Sequence, residues 1–281
     1  MDHPVLTCTV FSSTHGDPGL LRSTLAAGFG TVGLLLIGFL VGCHYSNSDE
    51  RVVFRVHAAS SLTEAFQELA QEFENTHPSI DVSMVFSGSQ VLRIQIEQGV
   101  SSDVLATANP EHMEILVESG HVKKPLVFAR NELVLIVPLD NPAGIVSFED
   151  LPKVSSMVVG TDQVPVGSYT GMMLGKAGQK LGVDFEKQSR SRVVSRESNV
   201  RLVRAKVEMG EADAAVVYRS DALASDRVQS ISIPHDINIQ ARYFIAELAN
   251  TNNRQLVGDW IQFVLSAAGQ EILARHGFVE G

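Results

Sequence analysis

The fold of this chain is decided by the stretch Val52-Val53-Phe54-Arg55-Val56-His57-Ala58-Ala59-Ser60-Ser61-Leu62. Its first five residues are mostly β-branched or aromatic, which predicts a buried strand. Apolar residues then recur at the spacing of an α-helix; they are Leu62, Ala65, Phe66, Leu69, Ala70 and Phe73. Ser61, with Glu64 three residues later, matches a capping box. A strand that leads directly into a helix is the repeating unit of an α/β fold.

The same alternation continues along the chain. Strands are predicted at residues 80–86, 103–107, 132–138, 157–159, 212–218 and 242–247, and helices at residues 90–98, 110–119, 169–181, 200–209 and 251–268. This pattern predicts mainly parallel sheets that are flanked by helices. The number of elements predicts two α/β domains. The first comprises residues 51–130 plus 236–281, and the second comprises residues 131–235.

The composition limits the class of protein. The chain has 281 residues, of which 44% are hydrophobic and 19% are charged. This length suits two domains of roughly 100–150 residues each, and the apolar content excludes a disordered chain. The formal net charge of −10 argues against a nucleic-acid partner, because such a protein needs a basic face.

The N-terminal region has the composition of a secretory signal. Residues 23–42 carry no charge, and Arg22 precedes them as a short basic segment. Residues 32–41 form an apolar run, which corresponds to the hydrophobic part of such signals. An uncleaved transmembrane anchor is the alternative, since about 20 apolar residues span a bilayer. Both alternatives place the folded part of the chain outside the cytoplasmic membrane.

A cysteine follows this run directly. The sequence Leu40-Val41-Gly42-Cys43 resembles the lipobox of bacterial lipoproteins, in which the signal is cleaved before a cysteine that is then lipidated. We therefore expect a signal peptide at residues 1–42, a lipid anchor at Cys43, a tether over residues 43–50 and a position on the periplasmic side of a bacterial membrane. Since Cys8 is the one other cysteine, the mature protein has no free thiol, which excludes a catalytic cysteine and a cysteine-ligated metal site.

Common motifs of enzymes and metal sites are absent from the sequence. It contains no phosphate-binding P-loop, no GxGxxG after a strand, no GxSxG elbow and no HExxH. The nine histidines are scattered, without the spacing of a metal site. We therefore expect no enzymatic activity, no cofactor and no resident metal ion.

Small polar residues cluster at four junctions between a strand and the next helix. These junctions are residues 57–62, 86–90, 164–169 and 197–201. In an open α/β sheet, ligands bind at the carboxyl ends of the strands, where helix N-termini offer unpaired N–H groups and a partial positive charge. Four such junctions predict an anion site built of neutral donors. Each of these residues also has an ordinary structural interpretation. Serine is a good N-cap, as Ser61 and Ser89 would be, and a tyrosine such as Tyr218 is often half-buried.

The junctions and several further stretches together resemble a known family. The matching stretches are AASSL (58–62), FSGS (86–89), IEQG (96–99), SDV (102–104), NELVLIVP (131–138), VPVGSY (164–169), NVR (199–201) and GEADAAVVYRSD (210–221). Over residues 52–279 the chain is similar to the periplasmic molybdate-binding proteins of bacterial ABC importers, which are type II solute-binding proteins. The resemblance implies a two-domain α/β fold that closes on a ligand in the cleft between the domains.

The resemblance also implies which residues contact the ligand. By motif position these are the hydroxyl and backbone groups of Ser61 and Ser89, the backbone N–H groups of Val166 and Val200, the hydroxyl of Tyr218, and Ser60 as an additional candidate. The chain departs from the family at two of these places. Position 166 is often alanine in the family, and Asn199 replaces a frequent acidic residue, which puts the local helix cap in doubt.

The function implied by the resemblance is binding and delivery of a tetrahedral oxyanion. The protein would be the extracytoplasmic component of a molybdate or tungstate importer, working with a membrane permease. It would be a monomer, held at a membrane through Cys43. Three alternatives stay open: the same fold with sulfate, phosphate or ferric ion; a hydrolase that uses Ser61 or Ser89 with His57; and a receptor or scaffold domain that has lost its ligand.

Overall fold

The computed structural model describes residues 51–281. The predicted signal peptide over residues 1–42, the predicted lipidation of Cys43 and the predicted tether up to residue 50 lie outside the described residues. Among the helices that are described, none combines the length and the hydropathy needed to cross a membrane.

Strands and helices alternate through most of this region. The strands are β1 (Val52–Ala59), β2 (Ile80–Ser87), β3 (Val104–Thr107), β4 (Val122–Pro138), β5 (Met157–Gly160), β6 (Val193–Glu197), β7 (Ala214–Tyr218), β8 (Val228–Ser232), β9 (Gln240–Leu248) and β10 (Val279–Glu280). The helices are α1 (Thr63–Thr76), α2 (Ser89–Glu97), α3 (Pro110–Glu118), α4 (Pro165–Leu181), α5 (Val183–Ser191), α6 (Val200–Glu208), α7 (Arg219–Leu223), α8 (Arg254–Leu265) and α9 (Ala267–Arg275). Two 3-10 segments, Ser60–Leu62 and Phe148–Lys153, complete the description.

The strands form one mixed sheet. Its order is β2-β1-β3-β9-β4-β7-β5-β6, and β8 and β10 also pair with β4. β1 pairs in parallel with β2 and β3, and β5 pairs in parallel with β6 and β7. Between these two parallel groups lie β9 and β4, which run antiparallel to each other and to their outer neighbours.

The long strand β4 joins the two parallel groups. It pairs with β9 as far as Glu132, and from Leu133 onward it pairs with β7. The expectation of mainly parallel sheets therefore needs a correction: it holds for the two outer groups, whereas β9 and β4 between them pair antiparallel with each other and with their outer neighbours. The change of partner lies close to the predicted boundary between residues 130 and 131. The domain boundaries themselves stay a prediction.

An aromatic cluster fixes helix α1 against β1 and α8. The indole of Trp260 is fully buried, and its ring centroid lies 6.1 Å from that of Phe54, 6.0 Å from that of Phe66 and 5.2 Å from that of Phe73. Aromatic pairs in such edge-on arrangements contribute about 0.5–1.5 kcal/mol beyond their burial. Since the turn Ser60–Leu62 connects β1 to α1, this packing holds the turn in place.

Two of the expected N-caps are wrong. Ser61 lies inside the 3-10 turn, and the N-cap of α1 is Leu62, which makes no side-chain cap hydrogen bond. The capping box with Glu64 is therefore not formed. Ser89 is the first residue of α2, and its N-cap is Gly88. Both serine side chains are free for other contacts.

Two predicted helices differ from the structure by more than one residue. The single helix expected over residues 251–268 is the pair α8 and α9, because the Ser266 hydroxyl between them accepts a hydrogen bond from the Gly269 N–H and caps α9. Helix α4 begins at Pro165 rather than at residue 169. Proline suits the first helical position, since its fixed φ is already helical and it lacks an N–H that would be unpaired there.

Candidate functional site

The two parallel groups of strands end at one cavity. Its lining residues are Ala59, Ser60, Ser61, Ser87, Gly88, Ser89, Ala108, Val164, Pro165, Val166, Val200 and Tyr218. Each lies at or just after the carboxyl end of β1, β2, β3, β5, β6 or β7, as expected for a ligand site in an α/β sheet. The cavity volume is about 10 Å³, far below the ~300–1,000 Å³ of pockets for drug-sized ligands. The cavity therefore suits a small ion.

All six residues that the sequence pointed to line this cavity. They fall into two sets, which we call the serine wall (Ser60, Ser61 and Ser89) and the valine wall (Val166, Val200 and Tyr218). The serine wall follows β1 and β2, at one end of the sheet. The valine wall follows β5, β6 and β7, at the other end.

The serine wall presents buried hydroxyl groups. Ser61 is 4% exposed and Ser89 is 1% exposed. The Ser61 Oγ lies 2.9 Å from the Tyr243 Oη. The Ser89 Oγ accepts a hydrogen bond of 3.1 Å from the Ala108 N–H, so the Ser89 hydroxyl keeps its own proton for a ligand.

The valine wall presents backbone N–H groups at two helix N-termini. Val166 is the second residue of α4, and Val200 is the first residue of α6. N–H groups in the first turn of a helix have no acceptor within the helix, and they carry a partial positive charge. The Asn199 side chain caps α6 by accepting a hydrogen bond of 3.1 Å from the Leu202 N–H. The doubt about this cap is thereby removed.

Tyr218 adds a buried hydroxyl to the valine wall. It ends β7, is 1% exposed, and makes no side-chain hydrogen bond within residues 51–281. Burial raises the pKa of Tyr218 well above its usual value, so the hydroxyl stays protonated. It is a donor without a protein acceptor at the edge of the cavity.

Two polar contacts connect the walls outside the cavity. The Gln90 Nε2 donates to the Ser198 carbonyl oxygen at 2.7 Å, and the Arg201 guanidinium pairs with the Glu64 carboxylate at 2.5 Å. The residues that line the cavity itself, as far as the structure describes the chain, carry no formal charge. The site therefore offers neutral donors, a set that fits an anion and not a cation.

Sequence reasoning missed two residues of the site. Ala108 lines the cavity and holds Ser89 through its backbone, and Tyr243 holds Ser61 from behind. Ala108 follows β3 directly, so the rule for strand ends would have found it. Tyr243 lies in the middle of β9, where nothing in its local sequence distinguishes it from a core residue.

The hydrolase alternative finds no support in this geometry. His57 is buried in β1 and does not line the cavity, and burial lowers its pKa. The two serine hydroxyls contact Tyr243 and the Ala108 backbone instead of a histidine. Within the described part of the chain, no three histidine, cysteine or acidic residues are grouped to hold a metal ion.

Comparison with curated proteins identifies the family. The model of the bacterial extracellular solute-binding proteins matches residues 54–279. The molybdate-binding protein ModA of Mycobacterium tuberculosis is 33% identical over 266 residues, which cover 89% of this chain and 97% of that protein. Both matches extend over nearly the whole folded region.

Solved structures confirm the type II solute-binding fold class. The substrate-binding domain of a putative molybdenum ABC transporter from Clostridium difficile is 25% identical with a TM-score of 0.64, covering 82% of this chain and 99% of that one. The sulfate-binding protein SubI of M. tuberculosis has a TM-score of 0.72 at 16% identity, over 81% of this chain and 86% of that one, and shows the fold alone. Members of the matched family bind solutes and are not enzymes, as expected. The chain belongs to the bacterial extracellular solute-binding protein family.

Proposed function

We propose that this protein binds molybdate, or tungstate in its place, outside the cytoplasmic membrane and delivers it to the permease of an ABC importer. The observation that carries the proposal is the cavity between the serine wall and the valine wall, which is lined by hydroxyl and backbone donors without a charged side chain. A tetrahedral dianion accepts hydrogen bonds in every direction and has no proton to donate. Neutral donors at helix N-termini match such an anion.

The donor set of the cavity also discriminates among the candidate ligands. Phosphate keeps a proton at neutral pH and needs an acceptor, but no carboxylate lines the cavity. Ferric ion needs anionic ligands, and Tyr218 is the single tyrosine among the lining residues. Sulfate has no proton either and is the second candidate. The 33% identity to a molybdate-binding protein supports molybdate over sulfate.

The same proposal includes the location and the partner. The family is extracellular, which agrees with an extracytoplasmic binding protein. The sequence Leu40-Val41-Gly42-Cys43 supports cleavage before Cys43 and a lipid anchor there. We expect the anchored protein to act as a monomer, with the permease as its partner.

The test is thermal unfolding of the full-length protein with molybdate, tungstate, sulfate or phosphate added singly. A ligand at 100 times its Kd stabilises a protein by about 2.7 kcal/mol. For a chain of this size the Tm then rises by roughly 5–10 °C. We expect this rise with molybdate and with tungstate. A rise with sulfate or phosphate alone would identify that anion as the ligand in place of molybdate. No rise in Tm with any of the four anions would contradict the proposal.

A pair of variants makes this test specific for the cavity. The double variant Ser61→Ala/Ser89→Ala removes two of the three hydroxyls of the serine wall and should lose most of the rise. Ser189→Ala removes a buried hydroxyl in α5, which does not line the cavity, and should keep it. Equal shifts in both variants would place the ligand elsewhere.

A further inference from the structure

Tyr243 lies directly behind the serine wall without lining the cavity. It belongs to β9 and is fully buried. Its ring stands edge-on to Tyr218, Phe128 and Phe278, with centroid distances of 5.7, 6.3 and 5.3 Å. Because three aromatic neighbours hold the ring, its hydroxyl is fixed at 2.9 Å from the Ser61 Oγ.

The hydrogen bond between these two hydroxyls has two directions, and the direction decides what Ser61 offers to a ligand. If Tyr243 donates, Ser61 keeps its proton and presents a donor to the cavity. If Ser61 donates, it presents a lone pair, which suits a ligand that carries a proton. The choice therefore bears directly on which oxyanion binds.

The surroundings of Tyr243 favour donation by Tyr243. Within residues 51–281 its hydroxyl makes one hydrogen bond by geometry, to the Ser61 Oγ, and the neighbouring Tyr218 hydroxyl carries a proton of its own, since burial raises the pKa of Tyr218. Burial raises the pKa of Tyr243 well above its usual value, so the proton is present. A buried donor without an acceptor is unfavourable. Ser61, in contrast, borders the cavity, where a bound anion accepts its proton.

Two other hydroxyls of the cavity, those of Ser89 and Tyr218, are also arranged as donors. The Ser89 oxygen is occupied by the Ala108 N–H, which can only donate, so Ser89 also keeps its proton. The Tyr218 hydroxyl borders the cavity and has no protein acceptor in the described chain. The hydroxyls of Ser61, Ser89 and Tyr218 are thus each arranged to donate a hydrogen bond into the cavity.

We propose that Tyr243 is a positioning residue, which donates to the Ser61 Oγ and thereby makes Ser61 present a proton, not a lone pair, to the bound oxyanion. This inference rests on the proposed function and extends it to selectivity. The cavity then accepts oxyanions that carry no proton and disfavours those that need an acceptor. Tyr243 sets this preference without touching the ligand.

A double-mutant cycle tests the coupling between Tyr243 and Ser61. Molybdate Kd values are measured for the full-length wild type, Tyr243→Phe, Ser61→Ala and the double variant. We expect Tyr243→Phe to weaken binding by about 3–10-fold, as for loss of one supporting hydrogen bond. In the Ser61→Ala background the same change should have less than about a twofold effect, because the two residues act as a unit.

Two matched controls separate positioning from a general structural role. Tyr169→Phe removes another tyrosine hydroxyl near Tyr218 and should leave binding unchanged, both alone and in the Ser61→Ala background. Tyr243→Phe should add to Ser89→Ala, since Ser89 is held by Ala108 and not by Tyr243. If Tyr243→Phe has no effect, or adds fully to Ser61→Ala, the inference is overturned.

A second measurement needs only the unmutated protein. Sulfate and phosphate are compared as competitors of molybdate at pH 8, where both carry mainly two negative charges. We expect phosphate to compete at least about tenfold more weakly, because it carries a proton that finds no acceptor. Equal competition would show that a hydroxyl offers an acceptor and would overturn the inference. If molybdate itself does not bind the wild type, the proposed function fails instead.

Discussion

The two walls of the cavity supply the same kind of group by different means. The serine wall uses side-chain hydroxyls, of which that of Ser61 is oriented by Tyr243 and that of Ser89 by the Ala108 N–H. The valine wall uses backbone N–H groups, which are oriented by the start of a helix. The first kind of donor depends on residue identity and the second on backbone position. This difference predicts which substitutions each wall tolerates.

The walls are also held in place differently. The turn of the serine wall lies on the aromatic cluster around Trp260. The start of α4 in the valine wall depends on a close backbone approach, because a Cβ at Gly167 would lie 2.1 Å from the Thr161 carbonyl oxygen and 2.5 Å from that of Gly160. The serine wall is therefore supported by side-chain packing, and the valine wall by a close contact between two backbone segments.

The largest expected effect is that of Gly167→Ala. The added methyl group forces α4 away from β5 and moves the Val166 N–H, so we expect a stability loss of about 1–3 kcal/mol and more than about 100-fold weaker molybdate binding. Thermal unfolding and calorimetric titration measure both. At Gly171 in the same helix, an added Cβ would meet no atom within 4 Å beyond the backbone of its own helix, so Gly171→Ala should leave binding unchanged. Similar binding by both variants would show that the close approach does not matter.

A proline in place of Val200 removes one backbone donor. Val200 is the first residue of α6, where proline is tolerated, and Asn199 before it is already extended. Since a hydrogen bond to a charged group is worth about 1.5–3 kcal/mol, we expect Val200→Pro to weaken binding by roughly 10–100-fold. Val200→Ala keeps the N–H and should weaken binding by less than about threefold. If the alanine variant loses as much as the proline variant, the side chain and not the backbone contacts the ligand.

Removal of the Tyr218 hydroxyl tests the one side-chain donor of the valine wall. Tyr218→Phe keeps the buried ring and should weaken molybdate binding by about tenfold, through the loss of a hydrogen bond to the anion. Without ligand, its Tm should not fall, because the hydroxyl has no protein partner within the described residues. Tyr169→Phe is the matched control and should bind normally. A fall in the ligand-free Tm of Tyr218→Phe alone would instead indicate a structural role.

The smallest effect is expected at the ion pair that connects the walls outside the cavity. Arg201 and Glu64 are each about one-third exposed, and exposed pairs contribute at most about 1 kcal/mol. We therefore expect Arg201→Gln to weaken binding by less than about fivefold in low salt. The difference from wild type should vanish at about 1 M salt, where screening acts within a few ångströms. A larger effect that persists in high salt would make Arg201 a direct ligand contact.

The local spacing of apolar residues in the sequence predicts most of the observed helices and strands. The periodic apolar residues of α1 and the apolar run within β4 are visible in the sequence, because burial of one face imposes its spacing on the residues. The break at Ser266 was missed, since both helices have apolar faces and the cap is a single hydroxyl. The antiparallel course of β9 was missed because pairing direction leaves no mark on local spacing.

The sequence by itself determined the α/β class and the four strand-to-helix junctions, because helix starts and buried strands are encoded over a few neighbouring positions, and its resemblance to a known family pointed to the six candidate residues. Only the tertiary structure decided that these junctions surround one cavity without a charged lining. It also decided that Ser61 meets Tyr243 across 182 positions of the chain. Such contacts depend on how distant strands pack together. Backbone donors are common to all residues except proline, so only the fold selects the ones that face a ligand.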